Sequence, residues 1–100
     1  MSAYLIGRIT ITDPARYREY TQLTPGIIAR YGGRFIVRGG EVITLEGAPE
    51  HQRLVVVEFP NVAQAQAFYN SPEYRQAMAI RQSASEGHFV IVAGVAPETT

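Results

Sequence analysis

The chain contains no cysteine. That excludes disulfides, a thiol nucleophile and thiolate metal ligands. It contains no lysine either, since all nine cations are arginine. A Schiff-base lysine and the lysine of a phosphate-binding loop are therefore excluded. Charge of one sign is not in excess: nine cations face nine acids. No basic surplus points to nucleic acid, and no acidic tail suggests a binding arm. Tryptophan is also absent, which carries no functional meaning. No apolar run is long enough to cross a membrane. The opening MSAYLIGRITIT has no basic stretch followed by an uninterrupted apolar one, so no signal peptide is expected and the default location is cytoplasmic.

What is present suits one domain. One hundred residues, 46% hydrophobic and 18% charged, can bury a single core, expected to span about residues 3–95. Residues 3–11, AYLIGRITI, read as a strand. Asp13 and Pro14 then start a helix, with Tyr17, Tyr20, Leu23, Ile27, Ile28 and Tyr31 forming one apolar stripe. Thr24-Pro25-Gly26 predicts a kink or restart, with Thr24 capping the second piece. Gly32-Gly33 ends the helix. Residues 34–38 form a strand, Gly39-Gly40 a bulge or tight turn, and 41–46, EVITLE, a further strand segment. After a loop, RLVVVEF at 53–59 is the most β-like run. Asn61 caps a helix, Asn70-Ser71-Pro72 repeats the signal for another over 72–84, and Gly87 breaks it. Residues 88–95 are the last strand, and the tail APETT is expected to fray.

The order β-α-β-β-α-β is the ferredoxin-like split arrangement, an α+β fold with helices on one face of an antiparallel sheet. Strand alternation defines two faces. Leu5, Gly7, Ile9, Phe35, Val37, Val55, Val57, Phe59, Phe89 and Ile91 form an apolar class that should meet the helices. The other class mixes Tyr4, Ile6, Ile36, Leu54, Val56, Val90 and Val92 with Arg8, Arg38, Glu58 and His88. A face left in water should be mainly polar. This one needs a cover, and a second copy of the chain supplies it: the expectation is a homodimer with sheets face to face.

The charged members of that face admit two readings. Glu58 could pair with Arg38 or Arg8 as structural ions, since buried charge must be paired or wet. Alternatively Arg38 anchors an anionic or carbonyl group and Glu58 serves as base. The glycines of YGGRFIVRGG do not stand between a strand and a following helix, so they read as structural punctuation rather than a nucleotide loop. Ser71 has no local histidine base and reads as a helix cap, whose free amides could still meet an anion. His51 and His88 lack metal-ligand spacing, so no metal is expected. Tyr20 and Tyr74 could offer hydroxyls to a ligand oxygen. Arg81 could reach the same space, or pair with Glu73 or Glu86 at the surface.

The combination of Asp13-Pro14 with Tyr17 and Tyr20, YGGRFIVRGG at 31–40, VVVEFP at 55–60 and FYNSPEYRQAMAIR at 68–81 resembles the bacterial family called domain of unknown function 1330, over about residues 4–95. The resemblance implies a dimeric α/β barrel of ferredoxin-like subunits and no established activity. The wider group includes cofactor-free monooxygenases, haem-degrading enzymes and isomerase-like proteins, which is an analogy of fold only. The reading that results is a protein binding a small anionic or oxygen-rich organic molecule, either as a cofactor-free isomerase, lyase or monooxygenase or as a simple binder. Arg38 and Glu58 are its candidate catalytic pair, with Arg8, Tyr20, Ser71, Tyr74, Arg81 and His88 shaping the site. The alternative is a non-catalytic homodimeric module whose polar cluster serves interface specificity.

Overall fold

The computed structural model describes residues 1–96; the tail expected to fray, residues 96–100, lies outside the described residues except for Ala96. The elements are β1 (Ala3–Ile11), α1 (Pro14–Arg30), β2 (Arg34–Arg38), β3 (Arg53–Phe59), α2 (Val62–Tyr69), α3 (Pro72–Ala84) and β4 (Ser85–Ala93). The four strands form an antiparallel sheet in the order β2-β3-β1-β4. This is the ferredoxin-like topology. The short dimension of the Cα envelope is 16 Å, one sheet and one helical layer.

Local chemistry sets the helix ends. The carboxylate of Asp13 accepts from Arg16 N at 3.2 Å, and Pro14 occupies the first turn. Asn61 and Ser71 cap α2 and α3 in the same way, accepting from Gln64 N and Tyr74 N. At the end of α1, Gly32 takes φ 78°. Its N–H reaches Ala29 O at 3.0 Å, and that of Gly33 reaches Ile28 O at 2.9 Å. These paired bonds form a Schellman ending, which a left-handed glycine makes inexpensive. The core between the layers includes Leu5, Ile9, Val57, Phe59, Phe68 and Tyr74. Burying each such large side chain contributes about 1.5–3 kcal/mol.

Four expectations are corrected. Pro25 does not make α1 restart, and Thr24 is not a cap: the helix runs unbroken, and Thr24 is buried within it. Proline cannot donate to the carbonyl of Thr21, four residues back. That carbonyl is used instead by Arg38 Nη2 at 3.2 Å, with the Thr24 hydroxyl at 3.5 Å. Residues 41–46 are not a strand. Gly39, at φ 69°, turns the chain off the end of β2, and EVITLE lies exposed with no ladder partner despite its β-like composition. Gly87 lies inside β4, which begins directly after α3. The Ala84 carbonyl accepts from Thr12 N and Asp13 N, and the Ser85 hydroxyl donates to Arg81 O.

The fourth correction moves a candidate residue. The bulge expected at Gly39-Gly40 lies at Ile36: Phe35 pairs with Val57, but Val37 pairs with the next residue, Val56. One extra residue reverses the alternation beyond it. Val37 therefore turns to the open face, and Arg38, opposite Val55, turns to the helices. The open face itself carries Ile36, Val37, Val90 and Val92, all exposed.

Candidate functional site

A cavity lies between the sheet and α1 and α3. Its apolar walls come from residues such as Leu5, Ile9, Ile28, Val57 and Phe68. About 450 Å³ lies between the lining atoms of this slot, counted to its open side. Thr21, Arg38 and Arg53 also line a second hollow, about 570 Å³ counted to its open side, with Pro14, Tyr17 and Arg18, so the two adjoin at these residues and the more open one is the mouth side.

The polar groups of this slot are unusual in sign. Arg38 and Arg53 line both parts, Arg18 stands at the mouth, and Tyr20 and Tyr74 line the slot. Among the described residues no carboxylate or histidine lines either part. Arg38 is fixed by the Thr21 carbonyl and by the Phe35 ring, 4.4 Å from its guanidinium carbon. Arg53 begins β3 on the helix side. A Cβ on Gly39 would collide with its guanidinium, so the glycine is needed for both the turn and the arginine. The buried Nε of Arg53 has no hydrogen-bond partner.

The other end of the slot is built from Tyr20 and Tyr74, whose hydroxyls lie 2.8 Å apart. Burial pushes Tyr20 well above its ordinary value of 10.0, with the neighbouring Tyr74 adding to the shift. Burial likewise raises Tyr74, against the lowering effect of hydrogen bonds from Tyr20 and Arg81. Both phenols are neutral near pH 7, and act as hydrogen-bond donors. Behind them sits Arg81, only 4% exposed, with its Nε also unpartnered. Burial overturns the expectation that Arg81 pairs at the surface; Glu73 is held by Arg30 instead. The Arg81 guanidinium lies 4.2 Å from the Phe89 ring centroid. That ring fits because Gly7 and Gly87 lack side chains: a Cβ at either would stand 2.5 or 2.6 Å from it.

The structure thus brings Arg38, Tyr20 and Tyr74 to one slot, with Arg81 behind Tyr74. It does not bring Glu58, Arg8 or His88 there. Glu58 lies on the open face, where Arg34 bonds it at 2.8 Å and the Tyr4 hydroxyl at 3.5 Å. Arg34, foremost, holds its carboxyl below the ordinary value of 4.5. A carboxylate so engaged is a weak base, and it faces away from Arg38. Arg8 pairs with Glu50 at 2.6 Å rather than with Glu58, and His88 stands exposed beside Arg8 across the ladder. Ser71 caps α3 and donates to Phe68 O at 2.8 Å, so both its roles are structural. Arg53 was missed by the sequence reading. The signal was there: residues 53, 55, 57 and 59 share one parity, and a charge at a core-facing position invites a question.

The chain belongs to the family described as domain of unknown function (DUF1330), whose profile matches residues 2–95. No curated protein matches it. A protein of unknown function from Rhodopseudomonas palustris is similar in structure, with a TM-score of 0.76 and 21% identity over 96% of this chain and 84% of that one. A dimeric ferredoxin-like protein of unknown function from Jannaschia sp. CCS1 gives 0.73 and 12% identity, over 94% of this chain and 100% of that one. SnoaB, a cofactor-independent oxygenase from Streptomyces nogalater, gives 0.68 and 12% identity, over 95% and 94%. At such identities the likeness is one of fold.

Proposed function

We propose that this member of the DUF1330 family is a homodimer whose subunits each bind a small anionic organic molecule in the slot between sheet and helices. The observation that carries the reading is the unpartnered, buried Nε of Arg53 in a slot that no acid lines among the described residues. Arg53 as a whole is half-buried, and a donor taken out of water is ordinarily paired. Guanidinium groups bind carboxylates side-on through two parallel N–H bonds, and the Nε–H of Arg53 has no partner within the chain. Arg38 and Arg18 add positive charge at the mouth. The slot's narrow apolar walls favour a short chain or a planar ring. Neutral phenols and guanidiniums supply donors and no strong base, which suits binding or cofactor-free stabilisation of an oxyanion.

The open sheet face supports the dimer. Its exposed valines and isoleucine need a cover, and the similar protein from Jannaschia is described as dimeric. Light scattering at twice 11.0 kDa is the expected result, whereas a monomer at micromolar concentration would remove that half of the proposal. For the ligand, thermal unfolding with valerate is compared with its uncharged amide. Stabilisation follows RT ln(1 + [L]/Kd), so about a hundredfold excess over Kd adds about 2.7 kcal/mol. Valerate should stabilise the wild type and not Arg53→Gln. Equal stabilisation by acid and amide would contradict the reading. A second reading, a dimeric module without a ligand, is favoured by the ion pairs Arg8–Glu50 and Arg34–Glu58, which could orient an interface. It predicts no response to either compound.

A further inference from the structure

The segment between β2 and β3 is held in place and yet keeps apolar side chains in water. Ile43 is 71% exposed and Leu45 88%. On a loose loop two such residues would mean little. Here polar bonds fix the segment. Glu50 N donates to the Thr44 hydroxyl at 2.9 Å, Gln52 N to the Glu50 carboxylate at 3.2 Å, and the Gln52 amide to the Thr10 hydroxyl at 3.3 Å. Glu50 is also paired with Arg8 at 2.6 Å. Arg8 and Thr10 alternate along β1 with the buried Leu5 and Ile9, so both belong to the open face. The segment is therefore tied to that side of the sheet. Thr44 is engaged with Glu50, while Ile43 and Leu45 on either side of it stand out. Among the described residues, no backbone group of residues 41–46 bonds another backbone group.

We propose that residues 41–46 form an arm that crosses to a second copy of this chain and lies along the free edge of that copy's β4, with Ile43 and Leu45 packed against it. The inference rests on the homodimer proposed above, and it names the element that clasps it. The open face carries the exposed Ile36, Val37, Val90 and Val92, and the arm is rooted on the same side. A copy that covers the face therefore meets the arm. Packed sheets lie about 10 Å apart, and six extended residues span about 20 Å, so the arm is long enough to cross the gap. It brings unpaired N–H and C=O groups to a strand edge that has a free row of its own. β2 and β4 are the two edges of the sheet. β4 offers nine residues against five in β2, and Val90 and Val92 stand exposed on it. Arm and edge belong to one chain, so a two-fold axis satisfies both reciprocally, two arms for two edges.

The test is the dimer dissociation constant, measured by sedimentation across a dilution series. Replacing both Ile43→Ser and Leu45→Ser removes two apolar anchors of roughly tenfold each, and should weaken the dimer about a hundredfold. The pair Ile43→Val and Leu45→Met keeps the apolar contact and should recover most of that loss. Both side chains are exposed within the subunit, so the fold should survive, and circular dichroism checks it. A cross-link locates the arm. Because the chain has no cysteine, Glu46→Cys gives benzophenone maleimide a single attachment point and leaves Ile43 and Leu45 in place. In a mixture of heavy- and light-isotope chains, irradiation should join position 46 of one chain to β4 of the other. A dissociation constant unchanged by the serine pair, or a cross-link found only within one chain or away from β4, would overturn the arm and leave the dimer standing. A wild type that is monomeric at micromolar concentration would overturn both.

Discussion

Replacing Arg81 by methionine should leave the protein as stable as before, or more so. Most buried charges are part of a structural pair, and removing one partner costs about 3–5 kcal/mol. Arg81 is 4% exposed, but it has no carboxylate partner among the described ion pairs, and its Nε is unsatisfied. Leaving that donor unmade costs about 1–3 kcal/mol, which the substitution recovers. Against this stands the stacking on Phe89, worth about 0.5–2 kcal/mol. Methionine is flexible and fills most of the vacated volume over the Phe89 ring. The terms nearly cancel, and the net change should lie within about 1 kcal/mol of zero. Urea unfolding at matched protein concentration, with an unchanged m-value, measures it. A loss above about 3 kcal/mol would show Arg81 to be half of a structural pair, and the reasoning would be wrong.

Gly7→Ala should destabilise by about 1–3 kcal/mol, because its Cβ would stand 2.5 Å from a Phe89 ring already confined by Gly87 and Arg81; an unchanged melting temperature would contradict this. Gly39→Ala should weaken valerate binding as well as stability, since it strains a φ of 69° and pushes into the Arg53 guanidinium, and titration of the refolded variant reads both. The lowered Glu58 carboxyl contributes stability above pH 4.5 that is lost as pH falls through its folded value, so Glu58→Gln should flatten the acid limb of the melting curve. Tyr20 and Tyr74 are raised above 10.0, so the unfolded chain releases their protons first and stability should fall as pH rises past 10.0; Tyr20→Phe should soften that fall.

Much of the fold is legible locally. Asp13, Asn61 and Ser71 each precede a helix and accept from it, as capping chemistry requires. The alternation of β1 and β3 marks their inner faces because both strands are regular. The limits are equally physical. EVITLE alternates like a strand, but a strand needs a neighbour, and none is offered past Gly39. Pro25 lacks one donor, but its effect depends on whether something else takes the carbonyl of Thr21, and Arg38, seventeen residues from it, does so. Most consequential is Ile36. Nothing in RFIVR says which residue bulges, yet that single extra residue decides whether Arg38 faces Glu58 or the slot. Arg38, Tyr20, Tyr74 and Arg81 were therefore identifiable by type, and their assembly around a slot without Glu58 only by register.

The anion site rests on one atom, the unpartnered Nε of Arg53. With nine arginines and no lysine, the side-chain Nε–H signals of the whole chain can be resolved in an arginine-selective NMR spectrum and assigned with Arg53→Gln. On titration with valerate, the Arg53 Nε–H should move downfield in a saturable way and exchange more slowly with water, ahead of the surface arginines. An Arg53 signal that stays in place while the protein is saturated with the acid would contradict the account.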